Sequence, residues 1–343
     1  MSRACLALLG ALFVQAGAAA PVHAADLTVG AFGGVWEEAL RSCIVAPFEK
    51  QTGKTVDVVL GAPLQWLNQI AANPDAPPFD VVFAPTETAY QMIDKGLVLP
   101  FSGQPVAGLA DIYPDMVSFA EGYGVVFTYG AMGVIYNSRT VKVPIRTWDD
   151  FYDAVERGEI TAAIPSIHYP GSLGSSLWNV TRVSGGDERN AQPGLDRVKR
   201  MMAGGSLEFW ADHNQVLNAL GSGEIDAAMY WDGRSRAFII DGNNPDFEYV
   251  TPSPGGPATF NWIQVVKKAD PSAWTFVTIA LGAEGQSCFA SKTHYGSVNM
   301  KAVFDPAVKG ALTRHEDLSI PSFREINRSR QAWLEAWNKQ IGR

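Results

Sequence analysis

The feature that most constrains this chain is the alternation of short apolar runs with amphipathic helical segments over its first hundred residues. Leu27–Ala31 reads as a strand, and Gly33-Gly34 then opens a helix whose apolar residues Trp36, Leu40, Ile44 and Phe48 recur every four positions. Val56–Leu60 predicts a second strand, followed by Pro63 and a helix over 64–71. A third strand over 80–83 leads to a helix over 86–95 that Gly96 stops. Strands separated by helices cannot pair as hairpins and must cross over, so the pattern predicts a mostly parallel sheet with helices on both faces.

The alternation pauses at Val125–Asn137 (VVFTYGAMGVIYN), a long apolar stretch with two glycines, and resumes as a second α/β set. Residues 147–157 predict a capped helix, 160–164 a strand, 165–176 a loop rich in Gly, Ser and Pro that leads into a helix, and 225–230 a strand with a turn at Trp231-Asp232-Gly233. Further on, Gly255-Gly256-Pro257 precedes the apolar run 262–266. Asp270-Pro271 predicts a helix start, with Asp as cap and Pro in the first turn. Residues 323–341 form a last helix with Ile326, Trp333 and Trp337 on one face. A chain of 343 residues, 47% of them hydrophobic, supplies ample core for one or two large domains and excludes general disorder.

Arg3 is followed by an almost uncharged run that ends in Val22-His23-Ala24, the pattern of an export signal removed near Ala24. Its strongly apolar part, residues 5–14, is too short for a bilayer helix, so residues 1–24 are expected to be a signal peptide and the remainder an exported, periplasmic protein not inserted in the membrane. With 27 Lys and Arg against 35 Asp and Glu, a net charge of −8, a nucleic-acid partner is excluded. Beyond the leader only Cys43 and Cys288 remain, and two such cysteines either pair or stay buried as small apolar groups. No CxxC, HExxH or Cys/His cluster occurs, so neither a metal site nor a cofactor is expected.

The runs GAFGGVWEEALRSCIVAPFEKQTGKTV, FDVVFAPTETAYQMIDKGLVLP, GEIDAAMYWDGRSRAF and THYGSVNMKA follow one another over nearly the whole chain after the leader. Together they resemble the bacterial periplasmic solute-binding proteins of ABC importers, most of all the spermidine/putrescine-binding group. The resemblance implies a type II α/β fold of two lobes, a ligand held between them, a hinge of crossing strands, no catalysis, a monomer, and an inner-membrane ABC permease as partner. The crossings then fall at Val125–Asn137 and 260–266, giving one lobe of residues 25–132 and 262–305 and another of 133–261 and 306–343. Both cysteines belong to the first of these, which is compatible with a disulfide between them.

In open α/β sheets ligands collect at the carboxyl ends of strands, where helix N-termini present free N–H groups. That nominates loops 32–36, 84–88, 166–172 and 231–234, with Tyr129, Phe260 and Trp262 of the crossings beside them. Gly33 and Gly34 suit either a ligand's close approach or a tight turn, and Trp36 either contact or core. Thr86, Ser166, His168 and Ser172 are the polar candidates; the resemblance makes Trp231 an aromatic wall and Tyr295 a rim residue. Glu87 and Asp232 are placed to meet an amine, or else to serve their helices as first-turn charge and cap. Arg234, Arg236 and Arg182 are candidate forks for a carboxylate or phosphate.

The acids with which polyamine binders hold cations are missing from residues 165–172, and Trp262 stands where another belongs. The expected ligand is therefore a small polar organic solute bearing an amine, polyamine-, amino-acid- or opine-like. An anionic solute such as an organophosphonate or sugar phosphate, or a ferric ion, is the alternative. An enzyme on the same scaffold is the remaining rival, against which stand the lack of a GxSxG elbow and of a phosphate-cradling Gly-Lys loop.

Overall fold

The computed structural model describes residues 25–342, so the leader read over 1–24 lies outside the described residues. Eleven strands are present: β1 (Leu27–Ala31), β2 (Val56–Leu60), β3 (Val81–Pro85), β4 (Val125–Asn137), β5 (Ala162–Pro165), β6 (Leu207–Trp210), β7 (Ala227–Trp231), β8 (Phe247–Val250), β9 (Gly256–Val265), β10 (Gly296–Ser297) and β11 (Leu318–Ser319). Eight run in the order β2-β1-β3-β9-β4-β7-β5-β6, with β8 and β10 added on β4 and β11 on β9. β1 is parallel to β2 and β3, and β5 is parallel to β6 and β7. β9 and β4 run against their neighbours, which makes the sheet mixed rather than mostly parallel. The physical reason is connectivity: β4 carries the chain out of the first lobe and β9 brings it back.

β4 exchanges partners along its length. Residues up to Ala131 pair with β9, and Met132 onward pairs with β7. The hydrophobic cores divide at the same place, Tyr129 packing in the first and Met132 in the second. Ala258 and Phe260 of β9 join the first core, as does Phe323. The glycines of the stretch have a steric cause. A Cβ at Gly130 would stand 2.9 Å from the Tyr295 ring and against the Asp232 carboxylate, and one at Gly133 would strike Tyr249 and the Val250 carbonyl.

In the first lobe Trp36, Leu40, Ile44 and Phe48 are all buried. A repeat of four overshoots the 3.6-residue turn by about 40° per step. A π-helical turn, Arg41–Val45, set between Val35–Leu40 and Ala46–Thr52, is wide enough to take up that drift. Trp36 packs edge-on against Phe83, Phe127 and Phe289 at 4.8, 5.8 and 5.0 Å between centroids, each such pair adding about 0.5–1.5 kcal/mol beyond the area it buries. Cys43, in the π turn, is bonded to Cys288 of the helix Ala283–Thr293, with Cα atoms 5.6 Å apart.

In the second lobe the capped helix is Trp148–Glu156, where Thr147 Oγ1 accepts from the Asp150 N–H at 3.0 Å and Asp150 accepts from the Thr147 N–H at 2.8 Å. Among the boundaries that differ from the sequence reading, two have a plain local cause. The helix expected from Asp270-Pro271 begins at Ala273 after Ser272, because Asp270 turns its carboxylate to Lys54 Nζ (2.7 Å) and the Ser272 N–H (2.8 Å), contacts that hold its pKa at about 2. Trp231-Asp232-Gly233 is no turn, since the helix Asp232–Arg236 follows β7 directly.

Replacing both Cys43 and Cys288 by Ser is expected to lower the unfolding free energy by about 2–4 kcal/mol. Urea titrations with and without reductant check this, and equal midpoints for the oxidised and double-serine proteins would rule out a stabilising bridge.

Candidate functional site

The parallel sets of the two lobes point their carboxyl ends at one another across β4 and β9, and the loops there enclose a cavity of about 530 Å³. The first lobe contributes the end of β2 (Gly61, Ala62, Pro63), the end of β3 (Pro85, Thr86, Glu87) and Tyr295. The second contributes the loop after β5, the loop after β6 (Ala211, Asp212, His213, Asn214), Trp231 and Arg234. Phe260 comes from β9 and Phe323 from the start of the last helix. The walls thus set aromatic rings beside polar and charged side chains, a combination suited to holding and orienting a small polar molecule.

Of the residues singled out from sequence, Trp36, Thr86, Glu87, His168, Ser172, Trp231, Arg234, Phe260 and Tyr295 line this cavity. Six do not. Gly33 and Gly34 form the tight turn, Gly34 at φ 71° with no atom within 4 Å of where a Cβ would be. Tyr129 is packed in the first core, and Trp262 is fully buried, its indole N–H donating to Thr86 Oγ1 at 3.2 Å. Ser166 turns its hydroxyl to the His168 N–H within its own loop, at 3.4 Å.

Asp232 is the largest departure, because its carboxylate is sealed at the crossing and cannot meet a solute. It accepts from the Ala131 N–H of β4 at 3.1 Å, from the Gly233 N–H at 2.7 Å and from the Thr313 hydroxyl, and burial pushes its pKa up. It therefore ties β4, the helix after β7 and the segment leading into β11 at a single point.

Of the three arginines, Arg182 donates to the Gly255 carbonyl at 2.7 Å and lies over Trp178, and Arg236 lies over Tyr249. Only Arg234 faces the cavity. No carboxylate pairs with it among the described residues; its surroundings are Tyr169, His213, Tyr230 and Tyr295. Tyr169 donates to or accepts from His213 Nδ1 at 3.2 Å, and burial together with Arg234 pushes the His213 pKa down to about 4. His213 is thus neutral at neutral pH and leaves Arg234 as the cation of that wall. Trp231 stands beside it, packed on Trp210, Tyr230 and Tyr169 at 5.2, 5.2 and 5.4 Å.

The last helix, Phe323–Gln340, spans both lobes at the cavity's rim: Ile326, Trp333 and Trp337 pack in the second core, while Arg324 reaches the first lobe. The Arg324 guanidinium grips Glu121 with two nitrogens (2.6 and 2.5 Å), reaches Asp94 at 2.8 Å and lies 4.0 Å over the Tyr90 ring. Sequence reasoning missed this clamp and the loops after β2 and β6. The strand-end rule that nominated the other loops applies equally to them, and Asp212, which accepts from the Asn214 N–H at 2.8 Å as a helix cap, was the signal available.

Over residues 44–313 the sequence matches the family of the bacterial extracellular solute-binding protein. No curated protein matches it. Among solved structures, the chain is similar to an ABC transporter substrate-binding protein from Bradyrhizobium japonicum, at 18% identity over 93% of this chain and 100% of that one, TM-score 0.78. It is also similar to AgtB of Agrobacterium tumefaciens in complex with agropinic acid (19% identity, 93% and 99% covered, TM-score 0.75) and to the GABA receptor Atu4243 (19% identity, 91% and 96% covered, TM-score 0.76). What these likenesses establish is the shared architecture, the two-lobe type II periplasmic binding fold. No helix among the described residues is long and apolar enough to cross a membrane.

Asp232→Asn puts an N–H₂ among donors, and is expected to lower stability by about 1–3 kcal/mol while leaving the protein's relative affinity for cationic and anionic solutes unchanged. Denaturant curves and a calorimetric comparison of the two solute classes check it. The depressed His213 pKa has a separate consequence. A histidine that must stay neutral in the fold contributes stability present above its ordinary 6.5 and lost as pH falls toward about 4. His213→Gln should flatten that loss, read as a smaller drop in melting temperature than wild type over the same pH range.

Proposed function

The chain belongs to the family of bacterial extracellular solute-binding proteins, and on that premise we propose that it is the periplasmic receptor of an ABC importer, exported by the leader at residues 1–24. Its solute is small, polar and organic, of amino-acid- or opine-like character, bearing a carboxylate and an amine. The observation that carries this reading is Arg234, a guanidinium facing an aromatic-lined cavity with no carboxylate of its own to pair with. Half-buried and without an ion pair, this cation is favoured by an anion beside it, and a planar carboxylate fits its fork. The agropinic acid bound by AgtB and the GABA receptor among the structural neighbours support the same solute class.

A polyamine is favoured less. Glu87 is the one carboxylate set among the cavity's aromatic walls, and Asp212 is exposed at the mouth and engaged as a cap, so a chain of several ammonium groups would lack partners. Nor does the cavity suit a ferric ion, since among the described residues no group of three or more His, Cys, Asp and Glu converges.

Capture works by population shift. A solute that touches both lobes does so only in the shut form, so its differential affinity moves the hinge equilibrium, and the permease reads the closed shape. A micromolar receptor has about 8 kcal/mol of binding free energy from which closing must be offset. The moving bodies in this reading are residues 25–132 with 262–305 and residues 133–261 with 306–343, Ala258, Phe260 and Phe323 staying with the first core.

A thermal-shift screen across amino acids, opines, polyamines, organophosphonates and sugar phosphates is expected to yield hits among the first two. For the best of them Arg234→Gln should weaken binding about ten- to a hundredfold, the worth of a charged hydrogen-bonded pair, with the melting temperature of the free protein unchanged. An unaltered affinity by calorimetry would remove Arg234 from the site.

A further inference from the structure

We infer that Glu87 is the cation-recognising pole of the cavity, so that the solute is a zwitterion held lengthwise between Glu87 of the first lobe and Arg234 of the second. The inference deepens the proposed function and rests on it. Glu87 is the second residue of the helix Thr86–Asp94 at the carboxyl end of β3, and its side chain crosses the cleft to the second lobe. A Cβ at Gly174 would stand 3.2 Å from its Oε1, and one at Gly171 3.9 Å from its Oε2. No ion pair among the described residues involves it; its partners are its own N–H and that of Gly174, with Arg330 as the cation acting on it.

Glu87 and Arg234 thus stand on opposite lobes, neither in an ion pair among the described residues, with Trp231, Phe260, Tyr295 and Phe323 as walls of the same cavity. A carboxylate taken from water without a cation is unfavourable, and burial accordingly raises the Glu87 pKa. An ammonium group from the solute relieves that cost. Because the two poles belong to different lobes, a zwitterion engages both only when the cleft is shut, whereas a plain carboxylic acid engages Arg234 alone. The amine is therefore what couples recognition to closure.

The test is calorimetric titration of wild type, Glu87→Gln and Glu87→Asp with ω-amino acids of three to eight carbons and with unsubstituted fatty acids of the same lengths. Wild type should prefer the amino acid by about tenfold or more at its best length, as a paired charge warrants. Glu87→Gln should abolish that preference while binding the fatty acids within about twofold of wild type, since their contact to Arg234 is untouched. Glu87→Asp, whose carboxylate is withdrawn by one methylene, should keep the preference and move the optimum to a longer chain. Equal losses for both series in Glu87→Gln, or a preference that survives it, would overturn the inference. Fatty acids bound as well as amino acids by wild type would overturn it alone, whereas binding of neither series would overturn the proposed solute class as well.

Discussion

Between Ala131 and Met132 the longest strand of the molecule leaves β9 and joins β7, and the two lobes can be placed relative to one another only as that exchange allows. The same strand belongs to both sheets, so the parallel sets on either side of it are forced to aim their carboxyl ends into one space. Trp231 pairs directly with Met132, which is why the last residue of β7 emerges in the cavity rather than in a core. Asp232, one residue on, returns into the crossing and binds the Ala131 N–H and the Thr313 hydroxyl. Neighbouring residues of one short segment thus divide the work: one faces the cavity and the other holds the crossing together.

The electrostatics of the cavity follow from burial as much as from charge. Burial makes an ionised group expensive, and the structure responds by keeping His213 neutral in the cavity wall and, outside it, by engaging Asp232 and Arg182 with backbone or hydroxyl groups. Arg234 and Glu87 are left without an ion pair among the described residues on their respective walls. The rim is treated differently. Arg324 spreads its charge over the half-exposed carboxylates of Glu121 and Asp94 and over the Tyr90 ring, and ties the last helix to the first lobe where solvent screens the contact.

Much of the architecture was legible because periodicity reports which face is buried. The four-residue spacing of Trp36, Leu40, Ile44 and Phe48 identified a helix face, though not the π turn that keeps those residues aligned, since the drift in such a spacing does not tell which turn takes it up. The site was only partly legible. Strand ends named Trp231, Arg234, Glu87 and the loop around His168, but the direction of a side chain at a crossing depends on three segments far apart in sequence. Asp232 and Trp262 were read as cleft residues for that reason: adjacency to a strand end does not tell whether Thr313 or Thr86 will claim the polar atom first. The loop after β6 was missed because its strand, only four residues long and half exposed, has too few buried positions to show alternation.

The bond between Cys43 and Cys288 joins positions 245 residues apart, and residues 133–261 of the second lobe are threaded inside the ring it closes. Proteolytic nicking of any loop within that ring would leave two fragments still linked through sulfur and still sharing the first core. Such a cleaved receptor would migrate as one species until reduced, and the first lobe would keep its shape while the second was opened or lost.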